Sequence, residues 1–65
     1  MMELERLERE ISTTQAGIRR SWRDLGCLNL PLDKRVAEIV SIDANQRHLA
    51  ELLVRCHELR ASASN

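Results

Sequence analysis

The chain has 65 residues, of which 43% are apolar and 31% charged, and its 10 basic and 10 acidic side chains leave no net charge. A chain of this length forms one domain and buries only about 60% of its unfolded surface, so its own core is small. Balanced charge excludes a strong general attraction to nucleic acid or anionic membranes. The apolar content excludes disorder, and two cysteines are too few for a disulfide scaffold.

Helix 1 is predicted over about residues 2–25. Apolar or small residues recur there in alternating steps of three and four, the pattern of a helix that packs along another helix. These positions are Leu4, Leu7, Ile11, Thr14, Ile18, Ser21 and Leu25. Gly26 follows the last of them and suits the left-handed position that often ends a helix.

A turn is predicted over residues 26–31, because Pro31 cannot continue helix 1 and fits the first turn of a new helix. Asn29 and Asp33 are both candidates for the N-cap of that second helix. The sequence leaves the choice between them open.

Helix 2 is predicted over about residues 32–60, followed by a frayed tail over residues 61–65. Its predicted line of contact with helix 1 has the same alternating steps. It consists of Leu32, Ile39, Ile42, Gln46, Leu49, Leu53 and Cys56, with Arg35 and Arg60 at its outer positions. More apolar residues lie beside this line, among them Leu52, Val54 and Leu59, so the apolar band of helix 2 is wider than that of helix 1.

Two long helices joined by a short turn predict an all-α fold, a single antiparallel two-helix hairpin of the coiled-coil type. A turn centred near Asn29 sets residues whose numbers add to about 58 opposite one another. Leu52, Val54 and Leu59 are then expected to stay exposed in a lone hairpin. We expect a second hairpin, giving a four-helix bundle, or a partner helix to cover them.

This reasoning predicts a small non-catalytic protein–protein interaction module, such as an adaptor, a co-chaperone or an assembly factor. Its partner would be itself, as a homodimer, or another helical protein. The predicted interaction residues are Val36, Val40, Leu49, Leu52, Leu53, Cys56 and Leu59. Thr14 and Gln46 are polar residues on the predicted contact lines, where they either fix the alignment of the helices or are merely tolerated. A scaffold or filament component is a third interpretation, which open-ended growth would reveal.

The alternative function is a dimeric nucleic-acid-binding regulator. Basic residues cluster near the turn, with Trp22 beside them, namely Arg19, Arg20, Arg23, Lys34 and Arg35. Against Asp24 and Asp33 they give the turn end about +3, whereas the end with the chain termini carries about −2. Nucleic acid is the less favoured partner, because this distribution also complements the helix dipole and attracts an antiparallel copy.

No enzyme, metal, cofactor or small-molecule substrate is predicted. The chain has no phosphate-binding glycine loop, no HExxH and no nucleophile elbow. Cys56 and His57 are adjacent and point about 100° apart on a helix, so they cannot chelate one metal together. Cys56 is interpreted as a small core residue. We expect a cytoplasmic protein with no membrane partner, because the first ten residues do not resemble a secretory signal and no apolar run could span a bilayer.

Overall fold

The computed structural model of the chain describes residues 2–27 and 29–63. Two helices, α1 (Met2–Leu25) and α2 (Leu32–Ala63), pack against each other as a hairpin. The molecule is a rod with principal extents of 52 × 15 × 13 Å. The predicted helical hairpin is therefore confirmed, with helix 1 at its predicted bounds.

The second helix is longer than predicted. α2 continues through Ala63, so residues 61–63 are helical and were wrongly assigned to a frayed tail. Small residues with good helix propensity, Ala61 and Ala63, account for the extension. Residues 64 and 65 of the predicted tail lie outside the described residues.

The end of α1 differs from the prediction at Gly26. Neither glycine of the chain has a positive φ, so Gly26 is not the left-handed cap that was expected. Its N–H donates to the carbonyl oxygens of Trp22 and Arg23 at 3.2 and 3.1 Å, and the N–H of Cys27 donates to Asp24 at 3.1 Å. The last turn thus tightens into i→i−3 bonds, which pair its carbonyls without a reversal of the backbone.

Neither of the two candidate residues caps the N-terminus of α2. The helix begins at Leu32, and the carbonyl of Pro31 accepts the N–H of Arg35 at 3.0 Å. Within the described residues, neither the Asn29 nor the Asp33 side chain donates or accepts a hydrogen bond there. Asp33 lies in the first turn, where its negative charge favours the positive end of the helix dipole.

The two helices touch along a line of buried and half-buried side chains, here called the hairpin seam. On α1 it has the predicted positions, all buried or half-buried. On α2 the buried and half-buried positions again alternate in steps of three and four. They are Arg35, Glu38, Ile42, Asn45, Leu49, Leu52, Cys56 and Leu59, and Ser41 beside them is also half-buried.

The predicted seam of α2 was correct at Arg35, Ile42, Leu49 and Cys56 and wrong at its other positions, including Arg60, which is exposed. Leu32, Ile39, Gln46 and Leu53 are exposed, and the residue before each of the last three faces α1 instead. Gln46 is therefore not a polar residue of the hairpin seam. Thr14 is one, and its hydroxyl donates to the carbonyl of Glu10 at 2.7 Å within its own helix.

Ion pairs between the helices report the antiparallel register. Glu3 binds Arg55, and Glu10 lies 3.4 Å from the Nε2 of His48. Gly17 and Asn45, which meet across the seam, have residue numbers that add to 62, and the pair Glu8–Arg60 adds to 68. The register at the seam is therefore about one helical turn from the predicted sum of about 58. The pairs Glu3–Arg55 and Glu10–His48 each add to 58. They lie on one side of the seam, because residues seven apart in a heptad pattern share a side.

Candidate interaction surface

A second line of residues on α2, here called the outer seam, lies about 100° around the helix from the hairpin seam, because each of its members after Leu32 directly follows a hairpin-seam residue. It too alternates in steps of four and three, the spacing of a helix that packs along another helix. Its members are Leu32, Val36, Ile39, Asp43, Gln46, Ala50, Leu53 and His57, all of them exposed. Val40 and Val54 lie beside it and are also exposed. α2 thus carries two packing lines, and the hairpin uses one of them.

The exposure of these side chains is large for aliphatic residues. Leu32 is 77% exposed, Ile39 56% and Val40 61%, whereas Ile42, one turn away on the hairpin seam, is 5% exposed. Scattered surface leucines need no explanation, but a contiguous apolar line does. Because burial of such a side chain is favourable by about 1.5–3 kcal/mol, the outer seam is a surface that another molecule would stabilise by covering.

Trp22 extends this surface onto α1. The Nη2 of Arg60, which continues the outer-seam spacing, lies 3.5 Å from Glu8, so Glu8 is on the outer-seam side of α1. Trp22 follows Glu8 by two heptads and therefore shares that side. It is 56% exposed. Near the turn, the surface thus combines the indole with the aliphatic side chains of Leu32, Val36 and Ile39.

The predicted interaction residues fall into three groups. Val36, Val40 and Leu53 are exposed, as expected of a free surface. Leu49 and Leu59 are half-buried.

Leu52 and Cys56 belong to the core of the hairpin, at 6% and 5% exposure. The expectation that Leu52 stays exposed was wrong, because the hairpin seam runs through it, and half-buried Leu59 lies on the same seam. Val54 remains exposed as expected, at 59%.

Some members of the surface were not among the predicted interaction residues. The sequence predicts Leu32 and Ile39 as contacts with α1 and Trp22 as a core residue beside the seam rather than a nucleic-acid contact, but all three are exposed. The sequence does contain a pattern that could have identified this surface. A second set of residues at alternating steps of three and four starts at Leu32 and passes through Ile39 and Leu53.

The two ends of the rod carry opposite charge. Glu38 also lies at the turn end, which lowers its balance to +2 over residues 19–38. The open end, made of residues 3–10 and 51–60, carries −2. The central pair, Asp43 and Arg47, is neutral and forms an ion pair at 3.2 Å. The molecule is therefore a charge dipole along its long axis.

At the open end, Arg55 neutralises Glu3. The Nε of Arg55 donates to the Glu3 carboxylate at 3.2 Å, and a second guanidinium nitrogen donates to the same oxygen. These hydrogen bonds and the attraction of the guanidinium lower the pKa of Glu3 and raise the pKa of Arg55. Both groups are exposed to solvent, so the pair contributes to alignment more than to stability.

The five predicted basic residues do not form one patch. Arg19, Arg20 and Arg23 are exposed on α1 and make no ion pair with the residues that the structure describes. Lys34 lines a separate recess with Asp24, Cys27, Leu30, Ala37 and Glu38.

Arg35 is used inside the fold. Its guanidinium donates three hydrogen bonds to backbone carbonyls around the turn, to Leu25 at 3.2 Å, Cys27 at 3.1 Å and Leu30 at 3.2 Å. A cation bound to the last carbonyls of α1 caps that helix and complements its dipole. Arg35 is therefore committed to the turn rather than to a ligand.

Glu38 introduces an unsatisfied group into the hairpin seam. Its Oε2 is buried and has no hydrogen-bond partner among the described residues. An unsatisfied buried acceptor costs about 1–3 kcal/mol. The seam near the turn is thus built partly from polar residues, Arg35 and Glu38, which contribute little hydrophobic stabilisation.

The cysteines and histidines do not assemble into a site. Cys56 is buried, which confirms its interpretation as a core residue, and Cys27 is exposed in the turn. Residues 2–27 and 29–63 contain no group of three or more His, Cys, Asp or Glu residues placed to hold a metal ion. Neither described helix has a stretch that is apolar and long enough to cross a bilayer.

Comparison of the chain with family models, curated proteins and solved structures finds no match.

Proposed function

We propose that the chain is a small, non-catalytic helical interaction module of the cytoplasm, and that the outer seam of α2 is its binding surface. The observation that carries the proposal is the exposed line at heptad spacing from Leu32 to Leu53, on which Leu32, Val36, Ile39 and Leu53 are large aliphatic residues. Two thiols, Cys27 and Cys56, agree with a reducing compartment.

The module would act by burying this surface against another helix. α1 braces α2 along its length, so that the outer seam is presented on a preformed helix rather than on a disordered segment. A preformed surface loses less conformational entropy on binding. Charged residues on and beside the outer seam, such as Asp43 and Arg47, would then select the partner and its direction.

Two kinds of helical partner fit this surface. A second hairpin would complete a four-helix bundle, the common solution for helices with an uncovered apolar line. A helix of a different protein would occupy the same groove, as expected of an adaptor, co-chaperone or assembly factor. In both cases the hairpin alone is incompletely buried, since no described side chain has a relative exposure below 2%.

Site-specific photo-crosslinking in cells that express the chain tests the proposal. A photoreactive residue at Ile39 should form protein adducts, whereas the same residue at Ala44 should not. Ala44 is exposed on the far face of α2, so it is a matched control. Equal adduct yields at Ile39 and Ala44 would reject the outer seam as the binding surface.

The exposed arginines of α1 support nucleic-acid binding as a second candidate function. Arg19, Arg20 and Arg23 are exposed on one helix and lack ion-pair partners among the described residues, which suits contacts to phosphates. A nucleic-acid-binding regulator built on a dimer would bind labelled RNA or DNA with strong salt dependence. Loss of that binding in the Arg19/Arg20/Arg23→Ala variant, with the fold intact, would favour this function.

A further inference from the structure

We infer that the outer seam is occupied by a second copy of this chain, which runs antiparallel to the first with a two-fold axis at Gln46. The inference rests on the proposed function, since it names the partner of the same surface. Three observations support it: the symmetry of the seam, its position along the rod, and the charge at the two ends.

Ile39 and Leu53 of the outer seam lie seven residues to either side of Gln46. A two-fold axis at Gln46 therefore sets these two large aliphatic residues opposite each other in the two copies, and sets Leu32 opposite the stem of Arg60. Asp43 and Val36 lie one residue from exact opposition to Ala50 and His57, so each meets the outer-seam residue nearest to it. An isologous interface requires a surface that complements itself in this way.

The position of the axis also gives the greatest overlap. Gln46 lies close to the middle of α2, which spans Leu32–Ala63, so two copies related at that point overlap over almost the whole helix. A face about 50 Å long and 15 Å wide offers roughly 800 Å², the area that each partner buries in a standard stable interface. An off-centre axis would leave apolar residues of both copies exposed.

Charge selects the antiparallel direction. The turn end carries +2 and the open end −2, so an antiparallel copy sets unlike ends beside each other. A parallel copy would place Arg19 and Arg23 beside their own equivalents, and like charges across an interface oppose assembly. The same lopsided charge that suggested an anion-binding patch thus fits a second copy.

Gln46 itself suits the axis. Its amide carries both donors and an acceptor, so two copies of the side chain can hydrogen-bond across the two-fold. A polar residue at the axis of a helical interface fixes alignment, because a shifted pairing would bury its amide without a partner. The alignment role that was predicted for Gln46 in the hairpin is thereby transferred to the dimer.

Disulfide trapping tests the axis directly. In a Cys27→Ser background, with the buried Cys56 retained, Gln46→Cys is oxidised beside the control Ala44→Cys. Paired thiols at the axis have a millimolar effective concentration, so Gln46→Cys should form covalent dimer at least about tenfold faster than the control at micromolar chain. Equal rates for the two variants would overturn the inference.

Trapping with Gln46 intact tests the direction. Ile39→Cys and Leu53→Cys chains should form a mixed disulfide when combined, and neither should crosslink to itself, because 14 residues of helix separate the two positions. Ile39→Cys homodimers would indicate a parallel arrangement and overturn the inference. Failure of this trapping while photo-crosslinks at Ile39 lead to other proteins would reject the second copy and leave the proposed function standing.

Discussion

The guanidinium of Arg35 is predicted to hold the turn together, and its removal should destabilise the hairpin more than the loss of any exposed arginine. It donates three hydrogen bonds, at 3.1–3.2 Å, to the carbonyls of Leu25, Cys27 and Leu30. Hydrogen bonds from charged donors contribute about 1.5–3 kcal/mol each when they are shielded from water. Cys27 is exposed, so its carbonyl regains water and contributes less.

Arg35→Met keeps the apolar stem and removes all three bonds, and we expect it to lower the free energy of unfolding by about 2–3 kcal/mol. For a domain of this size each kcal/mol shifts the melting temperature by about 4–8 °C. Urea unfolding followed by circular dichroism measures the change. All variants are compared at one chain concentration, because association would otherwise contribute to the stability.

Arg47→Met is the matched control, because Arg47 is exposed and its pair with Asp43 lies within one helix turn. Such pairs contribute about 0.3–0.5 kcal/mol. Arg35→Lys should fall between the two, since an ammonium keeps the charge but cannot span three separate carbonyls. If Arg35→Met and Arg47→Met were equally stable, the guanidinium would have no role in holding the turn.

Three further changes follow from the same contacts. Gly17→Ala should raise the free energy of unfolding by about 0.5–1 kcal/mol in urea titrations, because the added Cβ meets only Asn45 Nδ2, at 3.8 Å; a loss of stability would show that the helices pack more closely there. Glu38→Leu should raise it by about 1–2 kcal/mol, since it removes a buried oxygen without a partner, and a decrease would mean that the carboxylate is bound. Arg55→Gln should lower the urea midpoint at neutral pH and have no effect in acid. Because Arg55 lowers the pKa of Glu3, the pair stabilises the fold above the ordinary value of 4.5 and is lost as the pH falls through the lowered pKa; a constant difference in acid would exclude the pair as the cause.

The sequence predicted the first helix in full because its apolar residues form one line. Leu4, Ile11 and Ile18 belong to this line, and α1 has no second line of apolar residues that could be mistaken for it. The side chains at the predicted positions are buried or half-buried. The antiparallel register was predictable to within about one helical turn, since the length of the turn sets which residues lie opposite one another.

The second helix was predicted at its start but not in its orientation or its end, which lies at Ala63. A rule that takes the most apolar residue at each step prefers Ile39 to Glu38 and Leu53 to Leu52, and so mixes the two lines of α2. The result is a seam rotated by about 50° around the helix axis. Arg35 and Glu38 lie on the hairpin seam although both are charged. Hydropathy does not predict this, because it contains no information on contacts such as the hydrogen bonds from Arg35 to the turn.

The concentration dependence of unfolding tests most directly whether the outer seam must be covered. If a second copy covers it, the melting temperature of the wild-type chain should rise with chain concentration, because association stabilises the folded state by mass action. Ile39→Glu should unfold at a lower temperature that no longer depends on concentration. A wild-type chain that unfolds cooperatively at the same temperature over a hundredfold range of concentration, as a 7.5 kDa monomer, would contradict this.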